Sequence, residues 1–198
     1  MVLSYVNKED ILDISLIHLK AFKDFFLSRL GKDFLFTYYN AIRINDRGIL
    51  LGCFEDDVLL GFCAATTLSA GFNTYLIKNN AIQFTKTGLR FLFTKPNALV
   101  RLVRNFIKRS PSIADEGNYA ELLSIGVSPT IQGRGVGKLL LFELENELKA
   151  KNVRQLSLTT DYYNNNKTLK FYQTTGYRIM YDFIAYPNRR MYRLIKEL

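Results

Sequence analysis

The stretch VSPTIQGRGVGKLLLFELENEL, residues 127–148, places Gly133, Gly135 and Gly137 within five positions at the mouth of a leucine-rich helix pattern. Glycine costs conformational entropy and disfavours helix, so three of them there mark a point where bare backbone is needed. Downstream, Val136, Leu140, Leu144 and Leu148 recur every four residues as the stripe of an amphipathic helix. Glu145–Lys149 and Glu147–Lys151 lie four apart and read as pairs on its exposed face. Upstream, YAELLSIGV (119–127) reads as a strand. Strand, glycine loop and helix together suit a phosphate, because amides at a helix N-terminus lack intrahelical partners and the helix dipole favours a negative charge. Two nucleotide motifs fail on this stretch. A P-loop would need glycine at Gln132 and Ser or Thr at Leu139. The dinucleotide fingerprint would need a glycine at Val136 or Lys138. A purely structural turn needs one glycine, not three.

Outward from this stretch, VRQLSLTT (153–160) is a strand, NNKTLKFYQTTGY (165–177) contains a short helix closed by Gly176, and YRIMYDFIAY (177–186) and RRMYRLIKEL (189–198) form a hairpin around Pro187-Asn188. Toward the N-terminus, GILLGCFEDDVLLGFCAATTL (48–68) is a hairpin about Glu55-Asp56-Asp57. NKEDILDISLIHLKAFKDFFLSRLG (7–31) has helical spacing, with Asn7 as a cap and Gly31 as a stop, and KDFLFTYYNAIRIN (32–45) resumes as an aromatic helix. The order is helix, helix, hairpin, connecting segment, strand, helix, strand, helix, hairpin: an α/β (α+β) domain on a mixed sheet.

The 198 residues suit one domain spanning 1–198, and 48% hydrophobic with 23% charged residues suits an ordinary globular chain. No apolar run is long enough for a membrane span, and the N-terminus has neither a basic leader nor an apolar signal core, so a cytoplasmic protein is expected. Cys53 and Cys63 sit in strand-like apolar runs and read as buried, reduced thiols. No His, Cys, Asp and Glu cluster has ligand spacing, so no metal is expected. The net charge of +9 is concentrated: from Ser69 to Ala114 there is no Asp or Glu, while Lys78, Lys86, Arg90, Lys95, Arg101, Arg104, Lys108 and Arg109 all fall there. Such a field draws anions. Apolar spacing predicts two packed helices in this window, about 74–93 and 96–109.

QGRGVG, Gln132 to Gly137, matches the pattern Q/R-x-x-G-x-G/A, and it opens a helix after a strand. With NNKTLKFYQTTGY, it resembles the GNAT superfamily of acyl-CoA-dependent N-acyltransferases. In the second block Asn165, Tyr172, Gly176 and Tyr177 fall at the family's spacing, and Thr168 stands where alanine is usual. The resemblance is firm from Tyr119 onward and rests on element order for residues 1–68. It implies a mixed, mostly antiparallel sheet flanked by helices, with residues 69–117 as a basic helical insertion between the third and fourth strands.

The resemblance also implies a site for acetyl-CoA. The diphosphate would lie on the amides of Gly133, Arg134, Gly135, Val136, Gly137 and Lys138, beside Gln132. The pantetheine arm would pair with backbone at Ile125, Gly126 and Val127, met from the other side by Asn165. Tyr172 is the expected acid for the leaving thiolate and Glu121 the candidate base, acting directly or through water. His18, the only histidine, lies on the helix whose end borders the acceptor pocket in this family, and reads as an ordinary, partly buried helix residue. AFKDFFLSRLGKDFLFTYY (21–39) is similar to acetyltransferases of bacterial surface-polysaccharide synthesis. The acceptor expected is a small-molecule primary amine, drawn by the basic segment if anionic, such as an amino sugar nucleotide. A peptide or protein amine, and a module that holds acyl-CoA without turnover, remain alternatives. No specific nucleic-acid partner is expected, since no reader motif is present, and contact with anionic surfaces would be weak. The oligomeric state stays open, a homodimer included.

Overall fold

The structure, a computed structural model, describes residues 1–23, 25–85, 115–185 and 188–198. Seven strands form one sheet: β1 (Val2–Tyr5), β2 (Gly48–Glu55), β3 (Val58–Thr66), β4 (Ala120–Val127), β5 (Gln155–Asp161), β6 (Arg178–Ala185) and β7 (Arg189–Glu197). Their order is β1-β2-β3-β4-β5-β7-β6, antiparallel throughout except for the parallel β4–β5 pair. The mixed, mostly antiparallel sheet expected from the sequence is present. β1 was not foreseen: four residues on a sheet edge carry too little alternation to signal a strand.

Helices cover both faces. On one lie α1 (Ile11–Ala21), α2 (Phe26–Leu30), α3 (Lys32–Arg43) and α4 (Phe72–Asn79). On the other lie α5 (Val136–Ala150) and α6 (Asn166–Thr174). The strict alternation of the central hairpin separates two cores. Leu50, Phe62 and Ala64 face the first group of helices, and Ile49, Leu51, Cys53, Cys63 and Ala65 face α5. The α5 stripe Val136, Leu140, Leu144 and Leu148 is buried as its spacing predicts. Asp56 and Asp57 both adopt positive φ, 50° and 62°, the tight hairpin turn that short polar residues tolerate. Cys53 and Cys63 are buried free thiols, and burial pushes Cys63 up to about 12.

The first helical run is shorter and divided. The N-cap position falls on Asp10, whose carboxylate accepts the Asn7 N–H at 2.7 Å, so Asn7 is a donor to the cap rather than the cap. The helix stops at Phe22, whose carbonyl accepts from the Phe25 N–H (3.1 Å) and the Ser28 hydroxyl (2.5 Å). α4 breaks at Asn80, and residues 81–85 turn helical again. The rest of that helix, the one expected at 96–109, Pro187 and the basic residues from Lys86 to Arg109 lie outside the described residues. Among the described residues no helix is long and apolar enough to cross a membrane.

Glu145 departs most from its sequence reading. It is buried at 6% exposure, accepts from Lys196 Nζ on β7 at 2.6 Å and from the Tyr177 hydroxyl at 3.1 Å, and thereby pins α5 to the sheet. An exposed pair four residues apart is worth only about 0.3–0.5 kcal/mol. Removing one partner of a buried pair costs more, since it strands the other charge. Glu145→Ala is therefore expected to lower unfolding free energy by about 2–3 kcal/mol, below the full buried-pair cost because Lys196 keeps some water. Urea titration checks this, and a loss near 0.5 kcal/mol would return Glu145 to a surface role.

Candidate active site

A cleft of about 780 Å³ opens between β4 and β5. The two strands pair only from Ala120–Leu122 to Leu156–Leu158 and then diverge. Each is held on its outer side: β4 pairs with β3 as far as Val127, and β5 pairs with β7 as far as Asp161. A bulge drives the parting. Ala64 pairs with Ser124 but Ala65 pairs with Leu122, leaving Leu123 extra in β4, and a bulge bends and twists its strand. From Leu123 to Val127 the edge of β4 turned toward β5 has no backbone partner among the described residues. Gly126 fits here because a Cβ would stand 2.8 Å from Phe62 and 3.3 Å from Phe22, whose ring α1 lays against the strand.

The glycine loop closes one end of the cleft. Gly133 (φ 91°) and Gly135 (φ 81°, the N-cap of α5) adopt left-handed conformations with nothing within 4 Å of a notional Cβ, so their backbone is open to a ligand. The amides of Gly133, Gly135, Val136 and Gly137 have no backbone acceptor among the described residues. The Lys138 amide is already bonded to the Gly135 carbonyl at 2.9 Å, so the free donors are fewer than the sequence suggests. Arg134 turns to Glu55 in the β2–β3 hairpin at 3.2 Å, an exposed pair that contributes little to stability. The Val136 side chain is in the core, which leaves only its amide to the loop. The Lys138 side chain is exposed.

Ile125, Gly126, Val127, Gln132, Gly133, Gly137, Asn165 and Tyr172 all border the cleft. Asn165 spends its amide donors on Thr160 Oγ1 (2.5 Å) and the Asp161 carbonyl (3.0 Å), tying the start of α6 to the end of β5. Tyr172 is packed edge-on against Phe171 and Tyr177, and no hydrogen bond of its hydroxyl is found among the described residues. Burial, reinforced by neighbouring Cys63, raises its pKa above the usual tyrosine range, so the group stays a protonated donor.

Glu121 is placed apart from these. It lies where β4 is still joined to β5, opposite Ser157, so its carboxylate meets the sheet face rather than the gap. Arg193 binds it at 2.6 Å and the Ser69 hydroxyl also donates to it. It is not among the residues lining the cleft. The structure joins further groups that no local sequence pattern connects. Arg189 holds Asp161 through two hydrogen bonds of 2.5 Å and lies 4.4 Å over the Phe25 ring, bridging β7, β5 and the turn before α2. His18 also lines the cleft and is hydrogen-bonded to Tyr39 at 2.6 Å. Such pairs are 28 and 21 residues apart and leave no local pattern. Among the described residues no group of three His, Cys, Asp or Glu could hold a metal ion.

A family model described as the acetyltransferase (GNAT) family matches residues 17–177. The chain is similar in fold to the ribosomal-protein-S18-alanine N-acetyltransferase from Escherichia coli (TM-score 0.62, 13% identity, covering 99% of this chain and 92% of that one). It is likewise similar to aminoglycoside 6′-acetyltransferase type Ii (0.62, 15%, 100% and 97%). A third similar structure is PaiA N-acetyltransferase from Thermoplasma acidophilum in complex with coenzyme A (0.57, 15%, 100% and 98%). No curated protein matches the chain in sequence.

Gly135→Asp tests the loop. The substitution puts a β-carbon on a left-handed residue and a negative charge beside the free amides. Calorimetry is expected to show acetyl-CoA affinity reduced by at least about 100-fold, from strain and repulsion together. Unchanged affinity in a folded variant would remove the loop from the binding site.

Proposed function

The chain belongs to the GNAT family of acetyltransferases and is an acyl-CoA-dependent N-acetyltransferase; from that premise we propose that it acetylates a primary amine of a small anionic acceptor, such as an amino sugar nucleotide, with Tyr172 as the acid. The observation that carries the reading of the donor half is the coincidence in one cleft of an unpaired strand edge, free glycine-loop amides and a protonated tyrosine. An extended amide-bearing arm can add to the β4 edge at Ile125–Val127 as another strand would. The amides of Gly133 and of Gly135–Gly137 suit a diphosphate at the start of α5. Asn165 keeps its side-chain oxygen available to an amide N–H, since its nitrogen is already committed.

Direct transfer asks three things of the chain: a neutral amine, a stabilised oxyanion and a proton for the departing sulfur. Tyr172 supplies the last. Glu121, engaged by Arg193 and Ser69, suits a role in orienting water or the acceptor through that network better than direct proton removal. The preference for an anion rests on charge: the Ser69–Ala114 segment has eight Lys and Arg and no Asp or Glu. Polyamines and aminoglycosides would be repelled by it.

Two measurements decide between these readings. Tyr172→Phe keeps the ring and removes the proton, so turnover is expected to fall on the order of 100-fold with acetyl-CoA affinity retained. Full activity would assign protonation to another group. Reversing Arg101 and Arg104 to Glu is expected to raise the KM of phosphorylated amine acceptors and flatten its salt dependence, while acetyl-CoA affinity holds. A preference for cationic amines in a thiol-release assay, or no effect of the reversal, would defeat the anionic acceptor.

A further inference from the structure

His18 sits on α1 with only 3% of its surface exposed, yet it lines the cleft. Its ring is held against Phe22, with centroids 4.8 Å apart, and against Tyr39 at 5.7 Å. Nδ1 is taken by the Tyr39 hydroxyl at 2.6 Å. Nε2 has no hydrogen-bond partner, one of two such buried side-chain nitrogens among the described residues. The other, Arg193 Nε, belongs to a guanidinium already bonded to Glu121 and Ser157, whereas Nε2 is half of what an imidazole can offer. A buried polar atom without a partner is destabilising, and beside a cleft a ligand oxygen can supply the missing partner.

The hydrogen bond to Tyr39 fixes which role Nε2 plays. Tyr39 is fully buried, its phenol is kept neutral by burial, and the hydrogen bond to Nδ1 is the one that the geometry of its hydroxyl shows among the described residues. A buried phenol proton needs an acceptor, and Nδ1 at 2.6 Å is the one in reach, so the phenol proton goes to Nδ1 and the ring's own proton lies on Nε2. Phe22, against whose ring His18 lies, packs on Gly126 in the free stretch of β4. His18 therefore stands beside that free edge.

We propose that His18 Nε2–H is a hydrogen-bond donor to the carbonyl oxygen of the transferred acyl group, with Tyr39 as its positioning residue. This rests on the acetyltransferase reading above. As the amine nitrogen bonds to the carbonyl carbon, the C=O pair moves onto oxygen, and Nε2–H stabilises the charge without being transferred. The pair then returns, the C–S bond breaks and sulfur takes the Tyr172 proton. The proton lost from the amine restores Tyr172 through solvent, so the step is balanced. A neutral imidazole is suited to polarising a carbonyl because it keeps its proton. Burial lowers His18 to about 4, so it is neutral at physiological pH.

Because the chain has one histidine, isotope-edited NMR of the imidazole nitrogens reports on His18 without ambiguity. The full-length protein is expected to show the Nε2–H tautomer, with protonation only as pH falls toward about 4 rather than at the ordinary 6.5. Acetyl-CoA should shift the Nε2–H resonance, and S-ethyl-CoA, which lacks the carbonyl, should not. In kinetics, His18→Gln keeps a donor near Nε2 and should retain turnover within about 10-fold, while His18→Phe should lose on the order of 100-fold. Tyr39→Phe should lower kcat about 10-fold with the KM for acetyl-CoA little changed, a split that loosened packing would not give. The Nδ1–H tautomer, titration near the ordinary value, or equal shifts with both thioester and thioether would overturn the assignment. Calorimetry on the unsubstituted protein separates this from the wider reading: no binding of acetyl-CoA, CoA or S-ethyl-CoA would overturn both, whereas binding of all three with a silent imidazole overturns only the role of His18.

Discussion

Two adjacent strands held apart by their outer neighbours govern the rest of this molecule. β4 is bound to β3 along its length and β5 to β7 along its length, so neither can swing across to close the gap beyond Leu122 and Leu158. The bulge at Leu123 gives β4 a different course from β5, and Phe22 and Phe62, both packed on the Cβ side of Gly126, keep it there. The gap is therefore enforced by packing and is not slack. It leaves backbone groups on the β4 edge that only water or a ligand can satisfy.

Both helical layers use this opening. α1 brings His18 to one wall and α6 brings Tyr172 to another, and each residue is buried. Burial penalises whichever protonation state is charged, so it raises the tyrosine and lowers the histidine. The shifts are opposite in sign and alike in result: both groups are neutral donors near neutral pH. The glycine loop supplies further neutral donors at the start of α5. Such a cleft favours oxygen atoms that gain negative charge and gives little to a cation.

The carboxylates near the sheet are committed elsewhere. Glu121 is held by Arg193, Asp161 by Arg189 and Glu145 by Lys196. Asp161 borders the cleft, but its two oxygens face the Arg189 guanidinium, which in turn covers Phe25. These pairs tie β4, β5, α5 and β7 together and balance charge inside the domain. The sequence between Ser69 and Ala114 has eight Lys and Arg and no Asp or Glu, so its positive charge has no acidic counterpart within that segment.

The α5 stripe, the hairpin about Asp56-Asp57, the glycine loop and the α6 block were legible because each is set by residues close together in the chain. Periodicity fixes which face of α5 is apolar, and the left-handed backbone at Gly133 and Gly135 strongly favours glycine. The same local logic failed where a distant partner decides. Glu145 looks like a surface residue until Lys196 and Tyr177 reach it from β7 and the segment before β6. Glu121 lies on the right strand, but its position before the parting and the reach of Arg193 send its carboxylate away from the cleft. His18 is one more residue on an amphipathic helix until α3 sets Tyr39 against one nitrogen and leaves the other unpaired. The sequence alone determined the α5 stripe, the central hairpin, the glycine loop and the order of the later elements, while the edge strand β1 and the break before α2 escaped it. Tertiary structure decided which polar groups are spent on one another and which remain free, because that depends on strand register and on contacts between residues far apart in the chain.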